Sequence, residues 1–171
     1  MNVSRIKNVA GVAAAVLALA FTTAPSSHAV NSPLRVTEKI KVNETALPSV
    51  SAHAGVAPVI GKPVGAAPTT LIKKDIIVGK GKTALSSSSI TAKYVLMSWK
   101  TGQVLQSSWP NSFPTALANV IPGWQQGIPG MKVGGRRLLV IPPALAYGVA
   151  GGQGIGPNET LIFVVDLLSV K

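Results

Sequence analysis

Hydrophobic positions along the chain fall into three regimes. Near the N-terminus, thirteen uncharged and mostly apolar residues run without a break from Val9 to Phe21. Residues 30–68 show no sustained period, and Pro33, Pro48, Pro58, Pro63 and Pro68 are spread through a Val, Ala and Ser background. From Thr69 onward, apolar stretches alternate with Gly, Pro and Ser clusters, the pattern of strands separated by turns. The spacing predicts a first strand over Leu71–Val78 broken by Lys73-Lys74-Asp75, then a turn at Gly79–Lys82. A strand rich in β-formers follows over Ile90–Trp99, with a turn at Thr101-Gly102 and a return strand over Val104–Trp109. Pro110–Thr115 reads as a loop. A helix is predicted within Val120–Gly130: Pro122 suits a first helical position, Gly123 to Ile128 make about two turns, and Pro129-Gly130 stop it. Arg136–Ile141 is a strand closed by Pro142-Pro143, and Gly148–Gly156 is a Gly-rich loop. Thr160–Val170 is an almost wholly apolar final strand, which implies burial on both faces.

These regimes define three segments. Residues 1–29 read as an export signal: Arg5 and Lys7 precede the apolar run, and Ser27-His28-Ala29 offers small residues at the two positions read for cleavage. Thirteen residues span roughly 20 Å as a helix, short of a bilayer core of about 30 Å, so the run is not read as a membrane span. The mature chain is expected to begin after Ala29 and to be secreted, outside the cytoplasm. Residues 30–68 read as a tether, largely extended or disordered, with a short strand at Leu34–Val42. Residues 69–171 form the folded domain: several antiparallel strands and one short helix, an α+β class.

Composition narrows the chemistry. There is no cysteine, so disulfides, thiolate metal sites and thiol nucleophiles are excluded. Both histidines, His28 and His53, precede residue 69, and the acids beyond it are Asp75, Glu159 and Asp166, scattered along the chain. That pattern offers neither a carboxylate pair nor a metal-ligand cluster, so no cofactor or metal is expected. Gly81-Lys82-Thr83 resembles the end of a phosphate loop, but Ile76 stands where such a loop needs its first glycine. The Gly-rich loop at 148–156 precedes a strand rather than a helix, which argues against a dinucleotide site. An enzyme with this inventory works without general acid–base transfer.

Four ordered blocks carry a resemblance. Val120-Ile121-Pro122-Gly123-Trp124-Gln125-Gln126-Gly127 is followed by Gly130-Met131-Lys132-Val133-Gly134-Gly135-Arg136-Arg137, then by Ile141-Pro142-Pro143 with Ala146-Tyr147-Gly148, and finally by Asn158-Glu159-Thr160-Leu161-Ile162-Phe163. In this order the domain resembles the FKBP-type peptidyl-prolyl cis-trans isomerases, the macrolide-binding immunophilins, most closely their secreted bacterial members. The resemblance implies a twisted antiparallel sheet wrapped around one short helix. It implies a rotamase that accelerates rotation about Xaa-Pro bonds in exported proteins as they fold. It also implies a catalytic set of Tyr94, Gln106, Ile121, Trp124, Tyr147 and Phe163, with Trp124 under the proline ring, the Ile121 N–H donating to one substrate carbonyl and the Tyr147 hydroxyl to another. Leu105, Phe113, Val120 and Ile155 are implied as further substrate contacts. The implied partners are proline-containing polypeptides and rapamycin-like macrolides. No nucleic acid and no stable membrane span are expected, and the chain is expected to act as a monomer.

Two departures fall in that set. The family usually carries Phe-Asp-Ser-Ser after the first turn, where this chain has Leu105-Gln106-Ser107-Ser108. Gln106 keeps an acceptor oxygen but not the charge. An alternative reading is therefore a low-activity proline-binding chaperone or binding module on the same fold. A third is a surface-binding protein drawing on the formal charge of +11. Losing Arg5 and Lys7 with the signal lowers that charge to +9, and the remaining excess is spread over turns and strand edges.

Overall fold

The computed structural model describes residues 46–171, all within one unit of the chain. The signal at 1–29 and the strand expected at 34–42 lie outside the described residues. Six strands form one sheet: β1 (Ile72–Ile77), β2 (Ser89–Ser98), β3 (Val104–Ser107), β4 (Phe113–Ala116), β5 (Arg136–Ile141) and β6 (Leu161–Val170). The order is β1-β5-β6-β2-β3, every pairing is antiparallel, and β4 lies on the same edge of β2 as β3. The helix α1 spans Pro122–Gly127, with single 3-10 turns at Leu117–Asn119 and Pro143–Leu145. Among the described residues, no helix is long and apolar enough to cross a membrane.

Period-2 alternation splits the central strands between two cores. On one face Leu139, Ile141, Leu161, Phe163, Val165 and Leu167 join Leu96, Trp124 and Ile128. On the other, Leu138, Val140, Ile162 and Val164 meet Met97 and Trp99. The run Leu161–Leu167 is buried at every position because both faces are covered. α1 covers the first face at close range. A Cβ on Gly123 would lie 2.3 Å from Ile141 Cγ2, and one on Gly127 would lie 2.8 Å from Leu139 Cδ2. These glycines, four apart and so on one side of the helix, let it lie flush on β5.

Three segments differ from the sequence reading. Phe113–Ala116 is a strand, not a loop, and Thr91 faces Pro114 in its ladder with β2. A proline is tolerated there because β4 is an edge. The tether expected over 30–68 is folded back on the sheet from Ala46. Bridges join Ala46 to Val64 and Val50 to Ile60, and Leu47, Val50 and Ile60 pack on the second core. Bridges rather than continuous ladders are what a proline-rich chain can supply, since each Pro lacks a donor. The Lys73-Lys74-Asp75 run does not interrupt β1, whose ladder to β5 continues through all three.

Candidate functional site

Four elements each bring one aromatic ring to the helix side of the sheet: Tyr94 from β2, Phe113 from β4, Trp124 from α1 and Phe163 from β6. The rings meet mostly edge to face. Centroid distances are 5.6 Å for Tyr94–Trp124, 5.6 Å for Tyr94–Phe113, 5.4 Å for Trp124–Phe163 and 6.3 Å for Phe113–Trp124. Tyr94 and Phe163 lie tilted at 5.9 Å. Quadrupole attraction favours this geometry, which stands rings as walls instead of stacking them flat. They enclose a cavity of about 260 Å³, completed by Gln106, Asn119, Val120, Ile121, Tyr147 and Gln153.

Local chemistry explains how each group is held. Ser108 fixes Tyr94: its hydroxyl accepts from the Tyr94 N–H at 2.9 Å, and its own N–H donates to the Tyr94 carbonyl at 3.0 Å. Trp124 sits in the first turn of α1, is 3% exposed, and its indole N–H is buried without a partner. Arg137 ties down the far end of the helix, donating to the Gly127 carbonyl at 2.8 Å and the Pro129 carbonyl at 3.3 Å while pairing with Asp75. Tyr147 precedes the 148–156 loop, which is pinched by reciprocal hydrogen bonds of 2.9 Å between Gly152 and Ile155. Gly151 holds φ +72° in that loop, and a Cβ there would fall 2.4 Å from the Ile155 carbonyl oxygen. The pinch leaves Gln153 over the cavity.

No charged side chain lines the cavity. Asp166 pairs with Arg136, Asp75 with Arg137, and Glu159 accepts from the Ser98 hydroxyl. The Tyr94 hydroxyl is pushed above its ordinary pKa, first by burial and then by the neighbouring Tyr147, so it stays neutral at physiological pH. Among the described residues, the Ile121 N–H makes no hydrogen bond, which leaves a main-chain donor of a lining residue free. It belongs to an extended joint, with Val120 at φ −110°, ψ 171° and Ile121 at φ −56°, ψ 149°, just before the helix starts. The site can therefore hold an apolar ring and donate neutral hydrogen bonds. It has nothing with which to move a proton near pH 7.

Of the expected site residues, Tyr94, Gln106, Phe113, Val120, Ile121, Trp124, Tyr147 and Phe163 line the cavity together. Leu105 and Ile155 do not. Leu105 alternates with Gln106 along β3 and is 38% exposed. Ile155 is buried in the core, where it anchors the loop. Asn119 and Gln153 line the cavity and were not foreseen. Gln153 is the sole polar side chain of the 148–156 loop, and Asn119 directly precedes Val120, so each stood beside a residue already singled out.

Comparison with known proteins decides the family. A model described as FKBP-type peptidyl-prolyl cis-trans isomerase matches residues 80–168. The chain belongs to this family. A probable FK506-binding protein of Corynebacterium glutamicum is 47% identical over 116 residues, covering 66% of this chain and 97% of the relative. An FK506-binding protein of Streptomyces anulatus is 45% identical over 119 residues, covering 66% and 96%. The crystal structure of FkpA from Escherichia coli aligns with a TM-score of 0.57 at 40% identity, over 60% of this chain and 49% of that one. The crystal structure of AtFKBP13 aligns at 0.55 with 33% identity, over 61% and 96%. This FKBP chain is a peptidyl-prolyl cis-trans isomerase, and the antiparallel sheet around one short helix is the family's fold.

Proposed function

We propose that the aromatic cavity is where the isomerase reaction takes place. The proline ring of a Xaa-Pro segment lies against Trp124, between Tyr94, Phe113 and Phe163 and beside Val120 and Ile121. The Ile121 N–H donates to one substrate carbonyl and the Tyr147 hydroxyl to another. Gln106, Asn119 and Gln153 form the polar part of the lining. Partial double-bond character sets a barrier of about 18–20 kcal/mol to amide rotation. Water stabilises the planar, polar amide, and an apolar cavity removes that support. Binding the twisted amide more tightly than the planar one lowers the barrier. A thousandfold to millionfold acceleration needs only about 4–8 kcal/mol. The observation that carries this reading is a ring-walled cavity without charge, beside a main-chain N–H that has no partner.

The same cavity is proposed to take a rapamycin-like macrolide. Such a compound should inhibit isomerisation of a short Xaa-Pro peptide competitively; binding without inhibition would separate the two sites and contradict the assignment. We further propose that this is a bacterial FKBP that works as a monomer outside the cytoplasm, on exported polypeptides. Arg5, Lys7, the Val9–Phe21 run and Ser27-His28-Ala29 support export. N-terminal sequencing of the protein recovered from its host should begin at Val30, and an intact Met1 would overturn this.

A further inference from the structure

The peptide unit between Val120 and Ile121 carries the N–H read above as a substrate donor, and its other end is gripped from the solvent side of α1. The Gln125 carboxamide Nε2 donates to the Val120 carbonyl at 2.8 Å and, at longer range, to the Ala118 carbonyl at 3.4 Å. The Gln125 main-chain N–H reaches the Ile121 carbonyl at 3.2 Å, next to that of Trp124 at 2.9 Å. One exposed residue thus holds the carbonyls on both sides of Ile121. No strand ladder holds this joint, because it lies between a 3-10 turn and the first turn of α1.

The Val120–Ile121 peptide is trans. In a trans peptide, C=O and N–H point in opposite directions along a rigid plane. Fixing the Val120 carbonyl toward Gln125 therefore turns the Ile121 N–H away from Gln125, and Val120 and Ile121 both line the cavity. A donor on the carbonyl oxygen also polarises the amide and strengthens its N–H as a donor. We propose that Gln125 is a positioning residue for the isomerase: its side-chain amide sets the plane of the Val120–Ile121 peptide, aiming the Ile121 N–H at the substrate carbonyl. This rests on the assignment of that N–H as a substrate donor.

Side-chain chemistry supplies the test. Met matches Gln in length and has no donor, whereas an ionised Glu offers only acceptors to the Val120 oxygen. Because Gln125 is exposed, Gln125→Met and Gln125→Glu should both fold, with melting midpoints within about 2 °C of the unaltered protein. Each is assayed for kcat and KM on an Ala-Leu-Pro-Phe peptide, and the Ile121 amide resonance is followed by NMR during titration with that peptide. Gln125→Met should lower kcat/KM roughly three- to tenfold, the effect of losing one hydrogen bond, and Gln125→Glu should lower it further. The Ile121 resonance should move in both variants before any peptide is added, and its peptide-induced shift should shrink. Unchanged kcat/KM in Gln125→Met, or an Ile121 resonance that responds to peptide as in the unaltered protein, overturns the positioning role. If Ile121 fails to respond to peptide in the unaltered protein, the donor assignment itself falls, and the positioning role with it.

Discussion

The two faces of the sheet are closed by parallel devices and serve different ends. β5 places one arginine on each. Arg136 turns to the outer face, makes a bidentate pair with Asp166 at 2.6 and 2.7 Å, and donates to the carbonyls of Ser51 and Val56 in the N-terminal arm. Arg137 turns to the helix face, makes a bidentate pair with Asp75 at 2.6 and 3.0 Å, and donates to the carbonyls of Gly127 and Pro129 at the end of α1. In each case a planar guanidinium ties a non-sheet segment to the sheet through two main-chain carbonyls. What differs is the material pinned beneath. Under the arm, aliphatic side chains interlock with Met97 and Trp99; beside α1, four rings meet mostly edge to face and line the cavity. One face is a fastening, and the other is fastened so that it can stay hollow.

Burial ranks the two fastenings. Side-chain exposure is 1% and 12% for Arg136 and Asp166, but 10% and 41% for Arg137 and Asp75. Arg136→Met should therefore have the larger effect, a loss of about 3–5 kcal/mol, because it leaves Asp166 buried and unpaired. Urea denaturation measures this. Activity per folded molecule should hold within about twofold, since the altered contact is on the face away from the cavity. A variant as stable as the parent, or one inactive while folded, would erase the distinction between the faces. Asp75→Asn should cost no more than about 1 kcal/mol, because the pair is partly open to water and Arg137 keeps its carbonyl acceptors. A loss equal to that of Arg136→Met would show that exposure does not rank them.

The smallest effect concerns pH. Tyr94 has a raised pKa in the folded state, so the stability linked to its neutral form is complete below the unfolded value and lost as pH climbs through the folded one. Stability should erode above about pH 10. Tyr94→Phe should flatten that alkaline slope, and an unchanged slope would place its origin elsewhere. Between about pH 6 and 9 the isomerase rate should be flat, because the cavity is lined by no carboxylate, histidine, lysine or arginine.

What was legible in the sequence follows the same division. β6 declared itself because seven consecutive buried residues need two covered faces. α1 declared itself through Pro122 at its start and Pro129-Gly130 at its end. The cover on the outer face stayed hidden: prolines break the period of residues 46–65, and the arm pairs through isolated bridges. β4 was masked by Pro114, which only an edge strand accepts. In the site, Trp124, Tyr147 and Phe163 could be named from the ordered motifs, whereas Tyr94 and Phe113 lie outside those blocks. Leu105 was assigned to it although strand alternation turns it away from Gln106, and Ile155 although the loop pinch sends it into the core. Asn119 and Gln153 reach the cavity through tertiary placement, which no local pattern encodes. Arg136 and Arg137 were visible as neighbours, but their opposite destinations depend on which face each strand position takes.

The central claim is that catalysis lies in the aromatic cavity and that Trp124 carries the proline ring. The direct measurement is the cis-to-trans relaxation of an Ala-Leu-Pro-Phe peptide with the unaltered protein and with Trp124→Ala, each at a concentration corrected for its folded fraction. Uncatalysed relaxation takes tens to hundreds of seconds. The unaltered protein should shorten it in proportion to its concentration. Burial of roughly 100 Å² of proline ring is worth about 2.5 kcal/mol, so Trp124→Ala should lower kcat/KM by roughly a hundredfold. A folded Trp124→Ala protein that keeps the full rate would contradict the claim.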